Sequence, residues 1–183
     1  MQNSSFKTKF APTIVLVVIC LVISAALAIT NGATAPQIAK INKEQADATR
    51  ASVLTEADAF HEYEGQLNDG ITEVYFADNK TGGVITSVAS SYGGDITVMV
   101  GIDAEGAITG VQVTAHSDTP GLGTKAMTPE YLAGYNGLSE LSAAAVKDSQ
   151  DVDYIVGATI SSNGIYTAVK NALQQFNDCG GVQ

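Results

Sequence analysis

Residues 96–114 read Ile96-Thr97-Val98-Met99-Val100-Gly101-Ile102-Asp103-Ala104-Glu105-Gly106-Ala107-Ile108-Thr109-Gly110-Val111-Gln112-Val113-Thr114. Two runs rich in β-branched residues, Ile96 to Ile102 and Ile108 to Thr114, flank an Asp103-Ala104-Glu105-Gly106 turn. The pattern predicts a hairpin. Two further runs upstream, Ile71 to Phe76 and Val84 to Ala89, are bounded by Asn, Asp and Gly clusters and read as additional strands. Downstream, residues 116–150 hold Pro120, Gly121, Gly123, Pro129, Gly134 and Gly137 and read as loop around a short helix near Glu130. A brief apolar strand, Tyr154 to Val156, and a small-residue turn then lead to a closing helix from about Ser162. Ile165, Tyr166, Val169, Leu173 and Phe176 mark its buried face at helical spacing. Strands first and a packed helix last define an α+β domain with a mostly antiparallel sheet.

The chain has 183 residues, and its one long apolar run is N-terminal. Ala11 to Thr30 carries no charge and, as a helix, spans about 30 Å, the thickness of a bilayer's hydrocarbon core. This predicts a transmembrane helix over 11–30, after a short cytoplasmic N-terminus (1–10) and before a connecting helix (31–55) and a folded domain (56–183). Pro36 suits the first position of the connecting helix. Lys7 and Lys9 precede the apolar run and no acid lies within the first 35 residues, so the N-terminus is expected to face the cytoplasm and the domain to lie outside it. A cleaved signal peptide is the competing reading, since Ala26-Leu27-Ala28 and Ala33-Thr34-Ala35 resemble cleavage sites, but the run is long for one. The domain lies outside the cytoplasm on either reading.

The formal charge is −10, and after residue 35 the count is 7 basic against 19 acidic residues, a net of −12. So acidic a domain does not hold nucleic acid through phosphate contacts. Cys20 lies inside the membrane run and Cys179 near the C-terminus, so a disulfide between them is not expected.

Chemistry concentrates in Asp153-Tyr154-Ile155-Val156-Gly157-Ala158-Thr159-Ile160-Ser161-Ser162-Asn163-Gly164. Gly157 and Ala158 leave room for a bulky group against the backbone, and a helix that starts here directs unpaired N–H groups outward, which favours a phosphate. Ser161 or Ser162 either caps the helix or donates to phosphate oxygens. The residues alone admit both an anion site with a hydroxyl beside it and an ordinary capped helix start.

This segment resembles the flavinylation motif of the FMN-binding domain family, found in the G subunit of Rnf electron-transport complexes and the C subunit of the Na⁺-translocating NADH:quinone oxidoreductase. An upstream acid and a Gly-Ala-Thr triplet there precede a Ser/Thr-rich helix start. Val156 departs from the Ser or Thr common before the glycine. A second match, His116-Ser117-Asp118-Thr119-Pro120-Gly121-Leu122-Gly123, is similar to the family's Glu-Thr-Pro-Gly-Leu-Gly loop with Asp118 in place of Glu, and Tyr92-Gly93-Gly94 is also similar. The resemblance covers the anchor and nearly the whole domain, and the chain's length favours the Rnf G subunit over the longer C subunit.

The resemblance implies FMN bound covalently to Thr159 through a phosphoester, with Gly157, Ala158, Ser161, Ser162, Asp153, Thr119, Gly121 and Leu122 around it. His116 either touches the flavin region or has an ordinary loop role. It also implies a separate flavin transferase that takes FMN from FAD with Mg²⁺ and loss of AMP. The implied partners are the other subunits of a membrane complex that exchanges electrons between ferredoxin and NAD⁺ and transports Na⁺ or H⁺, together with the lipid bilayer. The protein is expected to have no independent catalysis. Other readings are a membrane-tethered binding or structural domain of the same fold and a stand-alone extracellular flavoprotein reductase.

Other signals are weaker. Gly32-Ala33-Thr34 repeats the triplet without a Ser/Thr-rich helix start. Gly121 to Ala126 fits a loose dinucleotide fingerprint, but Pro120 precedes it and Pro129 interrupts any following helix. No HExxH or Gly-x-Ser-x-Gly pattern occurs, and His61 reads as a solvated surface residue.

Overall fold

A computed structural model describes residues 3–182, with side chains from residue 12 onward. The side chains of Lys7 and Lys9, on which the expected orientation rests, lie outside the described residues. Helix α1 runs Asn3–Val53, and two units are resolved, residues 1–46 and 47–183. In the first unit α1 has an apolar segment, exposed throughout its described residues, that is long and apolar enough to cross a membrane.

Pro36 sits inside α1 and does not start a second helix. Proline at that position deprives the Gly32 carbonyl of its usual N–H donor. The loss occurs where the backbone is exposed, and nearby Thr30 and Thr34 hydroxyls donate to the carbonyls of Ala26 and Thr30, at 2.9 and 3.0 Å.

The second unit is built on a five-stranded antiparallel sheet in the order β1-β2-β3-β4-β5. The strands are β1 (Phe60–Glu62), β2 (Ile71–Ala77), β3 (Gly82–Ser91), β4 (Gly94–Asp103) and β5 (Ile108–Ala115). The turn expected at 103–106 is present: the Asp103 carboxylate accepts from the N–H groups of Glu105 and Ala107, at 3.0 and 2.8 Å. Strand β1 has no sequence signal of its own, being three residues, Phe60-His61-Glu62, held at the edge by pairing with β2. His61 is exposed there, its Nδ1 2.6 Å from Asp78 Oδ1.

One sheet face carries the main core. Helix α3 (Thr159–Asp178) lays Ile165, Tyr166, Val169, Leu173 and Phe176 against Ile85, Ile96, Val98, Val100 and Ile102. The loop-rich stretch seals this core with Leu132 of helix α2 (Pro129–Leu132), Tyr135, Leu141 and Val146. The other face is closed by Val53 at the end of α1 and Leu54 just beyond it, which pack on Ala77, Val84 and Met99. Arg50, 5% exposed, pins that end: its guanidinium contacts Asp47 (2.5 Å) and Glu73 (2.9 Å) and lies 3.8 Å above the Tyr75 ring. Neither cysteine forms a disulfide, and buried Cys179 accepts a hydrogen bond from Gln175 Nε2.

Close approach of α3 to the end of β3 depends on Gly164. A Cβ there would meet the Ser90 carbonyl oxygen at 2.8 Å and Ile96 Cγ2 at 3.3 Å. Alanine gains about 1 kcal/mol in helix propensity, but the strand backbone has no room to yield, and overpacking costs roughly 1–3 kcal/mol. Gly164→Ala is therefore expected to destabilise the domain by about 1 kcal/mol or more in urea unfolding. A stabilised variant would show that the strand end moves freely.

Candidate functional site

The strand expected over Tyr154 to Val156 does not form; residues 153–155 are irregular and the chain enters α3 through a turn at Val156-Gly157. The Ile155 N–H goes to the Ser162 hydroxyl (3.1 Å), a bond within the loop-helix junction, so the segment joins no ladder. Gly157 has φ +87°, a conformation costly for any other residue, and directs the chain into the helix.

Helix α3 begins three residues before its expected start, at Thr159. Ala158 occupies the N-cap position and no side-chain oxygen caps the helix, so neither Ser161 nor Ser162 plays the capping role that the sequence admits. Both serines are buried in the first turn. The first turn of a twenty-residue helix thus keeps its outward N–H groups without a side-chain cap.

Thr159, half-buried, lies on the wall of a cavity of about 330 Å³. Gly157, Ala158, Ile160 and Ser161 line it from the helix start, Thr119, Leu122 and Gly123 from the 116–123 loop, and Tyr92 from the tip of the β3–β4 hairpin. The structure therefore brings Thr159, Gly157, Ala158, Ser161, Thr119 and Leu122 together. Gly121, exposed at φ +76°, Asp153 and His116, both exposed, and buried Ser162 are not among the lining residues.

Asp118 holds the walls together. Only 4% exposed, its carboxylate accepts from the Ser91 hydroxyl (2.5 Å) at the end of β3 and from the Gly93 N–H (2.6 Å) in the hairpin turn. The Ser161 hydroxyl, from α3, faces the same carboxylate and favours its charged form. Gly123 closes over this junction: a Cβ on it would meet both Asp118 Cβ and Ser161 Oγ at 2.8 Å. Two segments far apart in sequence, the hairpin at 91–93 and the start of α3, thus meet at a carboxylate carried by a third, whose replacement of the family's Glu drew attention only to its identity. Tyr92, Gly123 and Ile160 were likewise missing from the expected site residues, although Tyr92-Gly93-Gly94 carried a signal.

Burial opposes ionisation of Asp118, but the hydrogen bonds from Ser91 and Gly93, the Ser161 hydroxyl and the nearby His116 outweigh it and hold the carboxyl below its ordinary range. A depressed folded-state value means that this stabilisation is complete above the unfolded value, about pH 4, and is lost as pH falls through the folded one. The stability gap between the wild type and Asp118→Asn is expected to narrow below about pH 4 in acid-series urea titrations. A gap that stays constant down to pH 2 would show that the carboxylate's charge has no part in it.

The FMN-binding domain family matches residues 91–174, from the end of β3 into α3. The G subunit of the ion-translocating oxidoreductase complex of Methanosarcina acetivorans is 32% identical over 94% of this chain and 96% of its own. The G subunit of the Na⁺-translocating ferredoxin:NAD⁺ oxidoreductase complex of Acetobacterium woodii is 29% identical over 94% of both chains. Among solved structures, the C subunit of the Na⁺-translocating NADH-quinone reductase of Parabacteroides distasonis is similar with a TM-score of 0.46 and 22% identity, over 58% of this chain and 60% of that one.

Proposed function

The chain belongs to the G-subunit family of ion-translocating oxidoreductase complexes, and from that premise we propose that it carries FMN as a phosphoester on Thr159 and relays electrons within such a membrane complex. The observation that carries the reading is a threonine hydroxyl at the first residue of an uncapped helix, on the wall of a cavity of ligand size.

The lining residues suit the group. The uncapped helix start favours a phosphoryl oxygen beside Thr159 Oγ1. Gly157 and Ala158 allow close approach of a chain to the backbone, Thr119 offers a hydroxyl, and Leu122 and Tyr92, 46% and 68% exposed, present apolar faces for a ring. Flavin, when bound, supplies one- and two-electron chemistry, while the protein supplies position and surroundings. In attachment, the Thr159 oxygen forms a bond to the flavin-side phosphorus of FAD, the pyrophosphate P–O bond breaks, AMP leaves and the hydroxyl proton is released. A separate Mg²⁺-dependent flavin transferase performs this step.

In this reading α1 spans the bilayer with the N-terminus in the cytoplasm, and the domain works outside, where free FMN is scarce and a covalent tether prevents its loss. The other members of the complex donate and accept the electrons, exchange ferredoxin and NAD⁺ and conduct the ion. A single helix provides no ion path, and this protein catalyses nothing alone.

The test is the intact mass of the full chain after co-expression with a flavin transferase, followed by tryptic mapping. The expected gain is about 0.44 kDa, the mass of one esterified FMN, carried by the peptide of residues 148–170. A chain at its bare mass would replace this reading with that of a membrane-tethered binding domain.

A further inference from the structure

A second cavity, of about 270 Å³, shares Thr159 and Ile160 with the first and is otherwise bounded by Ala145, Val146, Lys147 and Asn163. The first turn of α3 therefore has a recess on each of two sides, and the second has a cation on its wall. Lys147 sits in a 3₁₀ turn, Val146–Asp148, that is anchored rather than loose: Val146 is 1% exposed in the main core, and its N–H donates to Asn163 Oδ1 of α3 at 3.0 Å. The exposed side chain starts from a point held against the same helical turn that presents Thr159. Among the described residues, no carboxylate pairs with its ammonium group.

The charge is out of keeping with its surroundings. The chain after residue 35 has a net charge of −12, and the segment leading from Lys147 to Thr159 contains Asp148, Asp151 and Asp153, all exposed. Among the residues that line the two cavities, Lys147 alone is charged. An acidic field slows the encounter of an anion with its site, and a single cation at the point of entry offsets it locally.

We propose that Lys147 is the counter-charge for the phosphoryl group at Thr159. Its ammonium draws the donor's pyrophosphate toward the threonine hydroxyl during attachment and afterwards pairs with the one negative charge that the phosphodiester keeps. The inference rests on the proposed ester at Thr159 and adds a positioning residue to it. Guanidinium in place of ammonium preserves the role, whereas a neutral amide removes it.

The experiment follows flavinylation of the full chain by purified flavin transferase with FAD and Mg²⁺, read by intact mass over time for wild type, Lys147→Gln and Lys147→Arg. An exposed charge pair of this kind predicts a rate about two- to five-fold lower for Lys147→Gln in 50 mM salt. That ratio should shrink toward one in 1 M NaCl, where charges are screened within about 3 Å. Lys147→Arg should react as the wild type does. In the finished products, the ³¹P resonance of the phosphodiester should differ between wild type and Lys147→Gln, and Lys147→Arg should restore the wild-type position. Equal rates and an unmoved ³¹P resonance, with the wild type fully flavinylated, would overturn the role of Lys147 and leave the ester intact. A wild type that takes up no flavin would instead overturn the ester itself.

Discussion

Thr159→Val should abolish the FMN mass gain entirely while leaving the unfolding free energy within about 1 kcal/mol of wild type. Valine keeps the shape of threonine and removes only the hydroxyl. Thr159 is half-buried, at a helix start where no side-chain cap is made, and valine and threonine have similar helix propensities. The substitution thus separates chemistry from fold. Thr34 provides the control, because it stands in the other Gly-Ala-Thr triplet, but its hydroxyl donates to the Thr30 carbonyl within α1. Thr34→Val should retain the full gain of about 0.44 kDa. Persistence of the adduct in Thr159→Val would show that the acceptor is another residue, and tryptic mapping would locate it.

Replacing Asp118 by alanine should cost about 3 kcal/mol in urea unfolding, the range for removing one partner from a buried, charged hydrogen-bond junction. The cost arises mainly from what is left behind. The Ser91 hydroxyl and the Gly93 N–H would lose their shared acceptor at a place only 4% exposed to water. The same junction carries Tyr92 on the hairpin, Thr119 and Leu122 on the loop and Thr159 on the helix, so its loss should also loosen the cavity. Flavinylation of Asp118→Ala should therefore slow even at temperatures where the domain remains folded. A cost under about 1 kcal/mol would show that other contacts hold the three segments in register.

Much of the architecture was legible because it depends on local pattern. The four principal strands follow from β-branched runs between turn residues, and the Asp103 to Gly106 turn follows from side-chain and backbone chemistry confined to a few residues. The buried face of α3 follows from helical spacing, since burial against a single sheet face imposes that period. The apolar N-terminal run is equally local: twenty uncharged residues form a helix long enough for a bilayer whatever follows them.

Three features depended on partners distant in the chain. Tyr154 to Val156 has the composition of a strand, but it pairs with none of the five strands, and the Ser162 hydroxyl takes the Ile155 N–H. Strand β1 is too short to announce itself and exists because β2 offers an edge. Asp118 read as a variant letter in a loop motif, yet it joins the end of β3, the hairpin turn and the first turn of α3.

The sequence by itself therefore determined the apolar helix, the antiparallel α+β domain, the acidic charge and the threonine motif, since each is written in neighbouring residues. Tertiary structure alone decided which residues surround Thr159, that the helix bearing it begins uncapped, and that a buried carboxylate holds the walls in place. A cavity is bounded by segments that meet only after the chain has folded, and the hydrogen bonds that fix its shape join atoms whose separation no local pattern encodes.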